Sequence, residues 1–178
     1  SNSIKAKSEK FDGDIDVVVG SDIAGLVAHE SCGHPFEADR ILGREAAQAG
    51  ESYLNFDCNG TIIGSDEVYV SDDPTIPQSM GFYLFDDEGV ESKKRKLITA
   101  GIITDLLHNR ETSSKMNIHS NAASRSVEFD KEPIIRMSNT FIEPGNFELE
   151  ELLADVKNGV YIKNFMEWNI DDRRENQR

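Results

Sequence analysis

Residues 29 to 36 read His-Glu-Ser-Cys-Gly-His-Pro-Phe, placing two imidazoles and a carboxylate within six positions. Zinc-assisted hydrolysis needs neutral imidazole ligands that leave a coordination position open for water. It also needs a carboxylate to take the water's proton as a carbonyl is attacked. His29 and His34 offer the ligands and Glu30 the base. Their spacing is unusual. Histidines four apart share a face of a regular helix, whereas these are five apart, and at about 100° per residue the two rings diverge by roughly 140°. Pro35 relieves the problem, since it cannot donate to the Ser31 carbonyl and crowds it, and Gly33 permits unusual backbone angles. Together they predict a widened, π-like turn over residues 30–35 that brings His34 beside His29. The plain alternative is a polar helix face that binds no metal.

The elements that must position this turn follow from hydrophobic periodicity. Ile15, Val17, Val18 and Val19 predict a buried strand over 14–19 running into Gly20. Ser21 or Asp22 is expected to cap the next helix, whose core face is Ile23, Leu26 and Val27 and which continues beyond Pro35 towards Ala49, with Gly50 ending it. Short strands follow over 61–63, 67–70, 82–85, 97–99 and 102–107, with Ala100-Gly101 as a tight hairpin. A strand over 134–142 ends at Pro144-Gly145. Leu149, Leu152, Leu153 and Val156 form the core stripe of a second, amphipathic helix, and a last strand covers 160–165. The expected class is α+β, a mostly antiparallel sheet with a long motif-bearing helix and a second amphipathic helix. All 178 residues read as one domain, with residues 1–10 and 171–178 expected to fray.

Charge narrows the partners. A net charge of −14 argues against nucleic acid, because phosphate contacts need a basic patch. The run Lys93-Lys94-Arg95-Lys96 reads as a solvated hairpin shoulder. No apolar run approaches the ~20 residues that cross a bilayer. Two cysteines make no disulfide framework, and a cytoplasmic setting is the default.

The stretch Val17-Val18-Val19-Gly20, Gly25 to Glu30, Gly33-His34, Glu37 and Asp39 resembles the HExxxH segment of the TldD/PmbA peptidases, also called modulators of DNA gyrase. Ser120-Asn121-Ala122 to Arg125, then Pro133 to Thr140 and Pro144-Gly145, are similar to that family's later P-x-x-R-M-[ST]-N-T block, and Gly159-Val160-Tyr161 with Asn164-Phe165 to the strand after it. The resemblance implies a zinc metallopeptidase of the catalytic, TldD-like type that trims unfolded peptides or peptide precursors as a homodimer or a heterodimer with a TldE/PmbA-like paralogue. It implies zinc on His29 and His34 with Glu30 as general base. The family's third ligand is a cysteine near the end of a longer chain, and neither Cys32 nor Cys58 matches it. The family's N-terminal domain is also missing, so the sequence reads as a piece of the metallopeptidase domain, expected to fold yet to be inactive alone.

Glu37, three residues after His34, and Asp39 are candidates to accept an imidazole N–H, and Glu37 to complete the metal site. Cys32 and Cys58 read as small buried hydrophobes. His108 and His119 read as surface or hydrogen-bonded residues. Two functions remain: a zinc peptidase core whose exposed strand edge aligns an extended peptide, and a non-catalytic module that mediates subunit pairing. Glu30 separates them, because a structural zinc site does not need it.

Overall fold

The structure, a computed structural model, describes residues 10–44 and 52–165. Strand β1 (Asp16–Val19) runs parallel to β8 (Gly159–Ile162), with Val17 opposite Val160 and Val19 opposite Ile162. At the end of this pair the Gly20 N–H donates to the Ile162 carbonyl at 2.8 Å. A Cβ at Gly20 would stand 2.5 Å from the Lys163 carbonyl oxygen, so glycine is required. Gly20, rather than Ser21 or Asp22, is the N-cap of α1 (Ser21–Val27).

Helix α1 runs on through a π turn (Ala28–Gly33) and a 3-10 turn (His34–Phe36). It does not reach Ala49 as one helix. At Glu37 the backbone is extended, with φ −70° and ψ 110°. Tertiary pairing replaces helical bonding there: Leu107 N–H donates to the Phe36 carbonyl at 2.8 Å and Ala38 N–H to the Leu107 carbonyl at 3.1 Å. Helix α2 (Ala38–Ile41) then adds one turn. The expected end near Ala49 lies outside the described residues.

Strands β2 (Val70–Asp72), β3 (Arg95–Thr99), β4 (Ile102–Ile103) and β7 (Thr140–Ile142) form an antiparallel sheet in the order β4-β3-β2-β7. Ala100 and Gly101, at φ 50° and 72°, make the tight hairpin between β3 and β4. A second antiparallel pair joins β5 (Ser124–Arg125) to β6 (Ile134–Ile135). Helix α3 (Arg110–Lys115) starts with an Asn109/Thr112 capping box, and α4 (Leu149–Asp155) with a Glu148/Glu151 box. The class is α+β with mostly antiparallel sheet, as expected. Its core gathers Phe36, Ala38, Val70, Leu97, Ile98, Ile103, Leu106, Leu107 and Ile135 between the end of the motif helix and the sheet.

Four local expectations are corrected. The strand expected over 134–142 divides into β6 and β7, because residues between them turn to other partners: Ser138 N–H to Asp72 at 2.8 Å and Asn139 Nδ2 to the Asp73 carbonyl at 2.7 Å. The stretches 61–63 and 82–85 supply only isolated bridges, Ile62 to Ile102 and Phe85 to Glu91. Val17 and Val19 of β1, Val27 of α1, and Leu149, Leu152 and Leu153 of α4 remain exposed rather than core. Arg95, read as solvated, is fully buried against Asp72. Its guanidinium also donates to the Ala122 carbonyl at 2.7 Å and Ser138 Oγ at 3.1 Å, and a buried ion pair persists only with such further bonds. Among the described residues no helix is long and apolar enough to cross a membrane.

Candidate metal centre

The wide turn predicted from the five-residue spacing is present. The His34 N–H donates to the His29 carbonyl, five residues back. The Ser31 carbonyl, which Pro35 cannot serve, accepts the Tyr53 hydroxyl at 2.8 Å, and the Pro35 carbonyl accepts Ser52 Oγ at 2.7 Å. Gly33 lets the turn press on the segment after β6, where a Cβ would meet Met137 Sδ at 2.3 Å. The outcome is convergence: His29 Nε2 and His34 Nε2 lie 3.0 Å apart, with the rings edge to face at 89°.

Glu30 joins them, its Oε1 3.7 Å from His29 Nε2. One ligand atom from each of the three residues falls within 4.8 Å of the others, the only such His, Cys, Asp or Glu cluster among the described residues. The two imidazole nitrogens, 3.0 Å apart, are close enough to share one zinc ion, which binds imidazole at about 2.0–2.1 Å, with the Glu30 carboxylate beside it. Partial burial, and then the neighbouring His34, lower the His29 pKa. That favours the neutral imidazole a metal requires.

Behind the rings, Glu37 is fully buried and both its oxygens lie 3.3 Å from His34 Nδ1. It also accepts Arg40 Nε, Met137 N–H at 3.3 Å and Arg136 Nη1 at 3.4 Å. Burial alone would raise the Glu37 carboxyl, but His34 and Arg40 outweigh it and hold the pKa below the usual carboxylate value. An ionised Glu37 accepts a hydrogen bond from Nδ1–H, which leaves Nε2 as the donor atom for a metal. Asp39 turns to β6, accepting Ile135 N–H at 3.2 Å.

The remaining candidates lie elsewhere. Cys58 is buried in the core, and Cys32 packs against it with its thiol pushed up to about 11 by burial. His108 is buried with Nδ1 3.1 Å from Thr112 Oγ1, and His119 borders a separate surface cleft with Arg110. Sequence reasoning passed over Arg40 and Tyr53. The i, i+3 spacing of Glu37 and Arg40 signalled the first; nothing local signalled the second. His29 stands between two open clefts. One, of about 570 Å³, is lined by Asp22, Gly25, Leu26, Glu30 and Phe165; the other, of about 470 Å³, is shared with His34 and runs along Arg125 to Val127 and Arg136 to Ser138.

These features define an α+β domain with a candidate divalent-metal centre on a widened helical turn. Residues 12–176 match the PmbA/TldA metallopeptidase C-terminal domain, and the chain belongs to that family. It is 40% identical over 159 residues to a metalloprotease of Methanocaldococcus jannaschii, covering 89% of this chain and 34% of that protein. To a zinc metalloprotease TldD homologue of Saccharolobus solfataricus it is 31% identical over 163 residues, covering 90% and 34%. The chain thus spans about a third of the length of these relatives. Among solved structures, TldE from Thermococcus kodakarensis shares the fold with a TM-score of 0.67 at 22% identity, over 83% of this chain and 32% of TldE. A Thermotoga maritima protein described as a modulator of DNA gyrase also scores 0.67, at 25% identity over 82% and 31%.

Proposed function

We propose that the protein containing this chain is a zinc metallopeptidase of the TldD type that cleaves unfolded peptides or peptide precursors. The observation that carries this is the π turn, which sets two imidazole Nε2 atoms 3.0 Å apart with Glu30 alongside. Zinc, when bound, supplies Lewis acidity and lowers the pKa of water. His29 and His34 hold it as neutral donors. Glu37 fixes the His34 tautomer, with Asp39 anchoring the following turn to β6. Glu30 takes the proton from the attacking water and returns it to the leaving amine. An extended peptide lies across the two clefts that meet at His29. A catalytic zinc ordinarily takes three protein donors, so a third joins the two histidines in the full-length protein. The TldE likeness supports pairing with a TldE-like paralogue, and the acidic surface disfavours nucleic acid.

A non-catalytic pairing module is the second reading, favoured by the exposed apolar faces of β1, β8 and α4. One experiment separates them. In the full-length protein, His29→Ala and His34→Ala each abolish binding of about one zinc per chain, while Glu30→Gln keeps zinc and loses peptide hydrolysis. Undiminished hydrolysis by Glu30→Gln sinks the mechanism, and zinc loss in that variant makes Glu30 a ligand.

A further inference from the structure

The two clefts that meet at His29 differ in charge. One holds Asp22 and Glu30. The other is lined by Arg125, Ser126, Val127, Arg136, Met137 and Ser138 besides the two histidines, without a carboxylate among them. In a chain of net charge −14 this is a local reversal. Arg136 is already engaged, donating to Glu37 at 3.4 Å and to the Ile135 carbonyl at 2.9 Å.

Arg125 is differently placed. It is half-buried, and its Nη1 donates to the Met137 carbonyl at 3.2 Å. Its guanidinium carbon stands 5.2 Å from the Tyr83 ring centroid. Among the described residues no carboxylate forms an ion pair with it, although a guanidinium offers five N–H donors. The Tyr83 platform is itself fixed, donating to the Ala122 carbonyl at 2.7 Å and receiving Arg95, the buried partner of Asp72. A cation held on a rigid aromatic face, one cleft wall away from two convergent imidazoles, is preorganised for an anion with planar, bidentate geometry.

We propose that this cleft is a carboxylate subsite, in which Arg125 receives an acidic side chain or the free C-terminal carboxylate of the peptide on the His34 side of the scissile bond. The proposal rests on the peptidase reading and adds a substrate class to it.

The test uses the full-length, zinc-loaded protein and matched fluorogenic peptides carrying Glu, Gln or Lys at each position flanking the scissile bond, each as a C-terminal acid and amide. A charge-assisted bond of this kind raises kcat/KM for the carboxylate-bearing peptide over its Lys counterpart by about tenfold or more. Arg125→Gln removes that ratio, Arg125→Lys keeps part of it, and Arg125→Glu inverts it. Preference for Glu in amidated peptides assigns the subsite to a side chain; preference for the free acid whatever the side chain assigns it to the C-terminus. Equal kcat/KM across the series, or a ratio unchanged in Arg125→Gln, overturns the proposal. Binding of the same peptides to the Glu30→Gln protein, read by fluorescence anisotropy, gives an answer that does not need turnover. Glu over Lys discrimination there that vanishes with Arg125→Gln supports the subsite even if the peptidase reading fails, and its absence refutes the subsite even if hydrolysis is seen.

Discussion

Glu37 ties the candidate centre together, because one carboxylate serves both the His34 imidazole and the buried Arg40 guanidinium. Two losses should therefore follow from Glu37→Gln. Zinc affinity in the full-length protein falls by about 10–100-fold, the usual cost of removing the group that orients a ligating imidazole. The metal-free protein loses on the order of 3 kcal/mol, because Arg40 keeps its charge in a buried site without an ionised partner. Zinc titration and chemical denaturation read the two separately, and unchanged zinc affinity would remove Glu37 from the centre. At this scale the sequence was informative. The convergence of His29, Glu30, His34 and Glu37 is local, set by side-chain type and by spacings of five and three residues. Arg95 escaped it because its partner Asp72 is 23 residues away, and a run of basic residues looks the same in sequence whether one member is buried or none is.

Elements were legible where their cause was local and obscure where it was not. The π turn follows from Pro35 and Gly33, and the β3–β4 hairpin from Ala100-Gly101. The break at Glu37 follows from Leu107, and the division of β6 from β7 from Asp72 and Asp73. Those partners are invisible to periodicity, which sees only neighbours. Gly33 links the two kinds of cause: its missing side chain admits Met137 against the turn. Gly33→Ala should destabilise the protein by about 1–3 kcal/mol through overpacking. Met137→Ala in the same chain should return part of that loss, since the flexible thioether is the group displaced. A double-mutant cycle by urea unfolding measures the coupling, and additive effects would show that the turn does not depend on this contact.

For the molecule as a whole, His108 makes stability depend on pH. Burial pushes its pKa down to about 4, whereas an unfolded histidine titrates near ~6.5. Between those values the unfolded chain binds a proton that the native protein does not, so stability is full above about pH 6.5 and declines as pH falls towards 4. The loss is about 2 kcal/mol between pH 6.5 and 5. His108→Gln should flatten that slope relative to the parent, and parallel urea midpoints for the two proteins across this range would exclude His108 as the cause.

Met137 sits 100 residues beyond Glu37, whose carboxylate receives its N–H, and farther still from the turn it supports. A ribosome has therefore released both histidines long before it makes the surface against which their turn closes. On the metallopeptidase reading, chelation by this motif waits for the segment around Met137, which emerges well after both histidines.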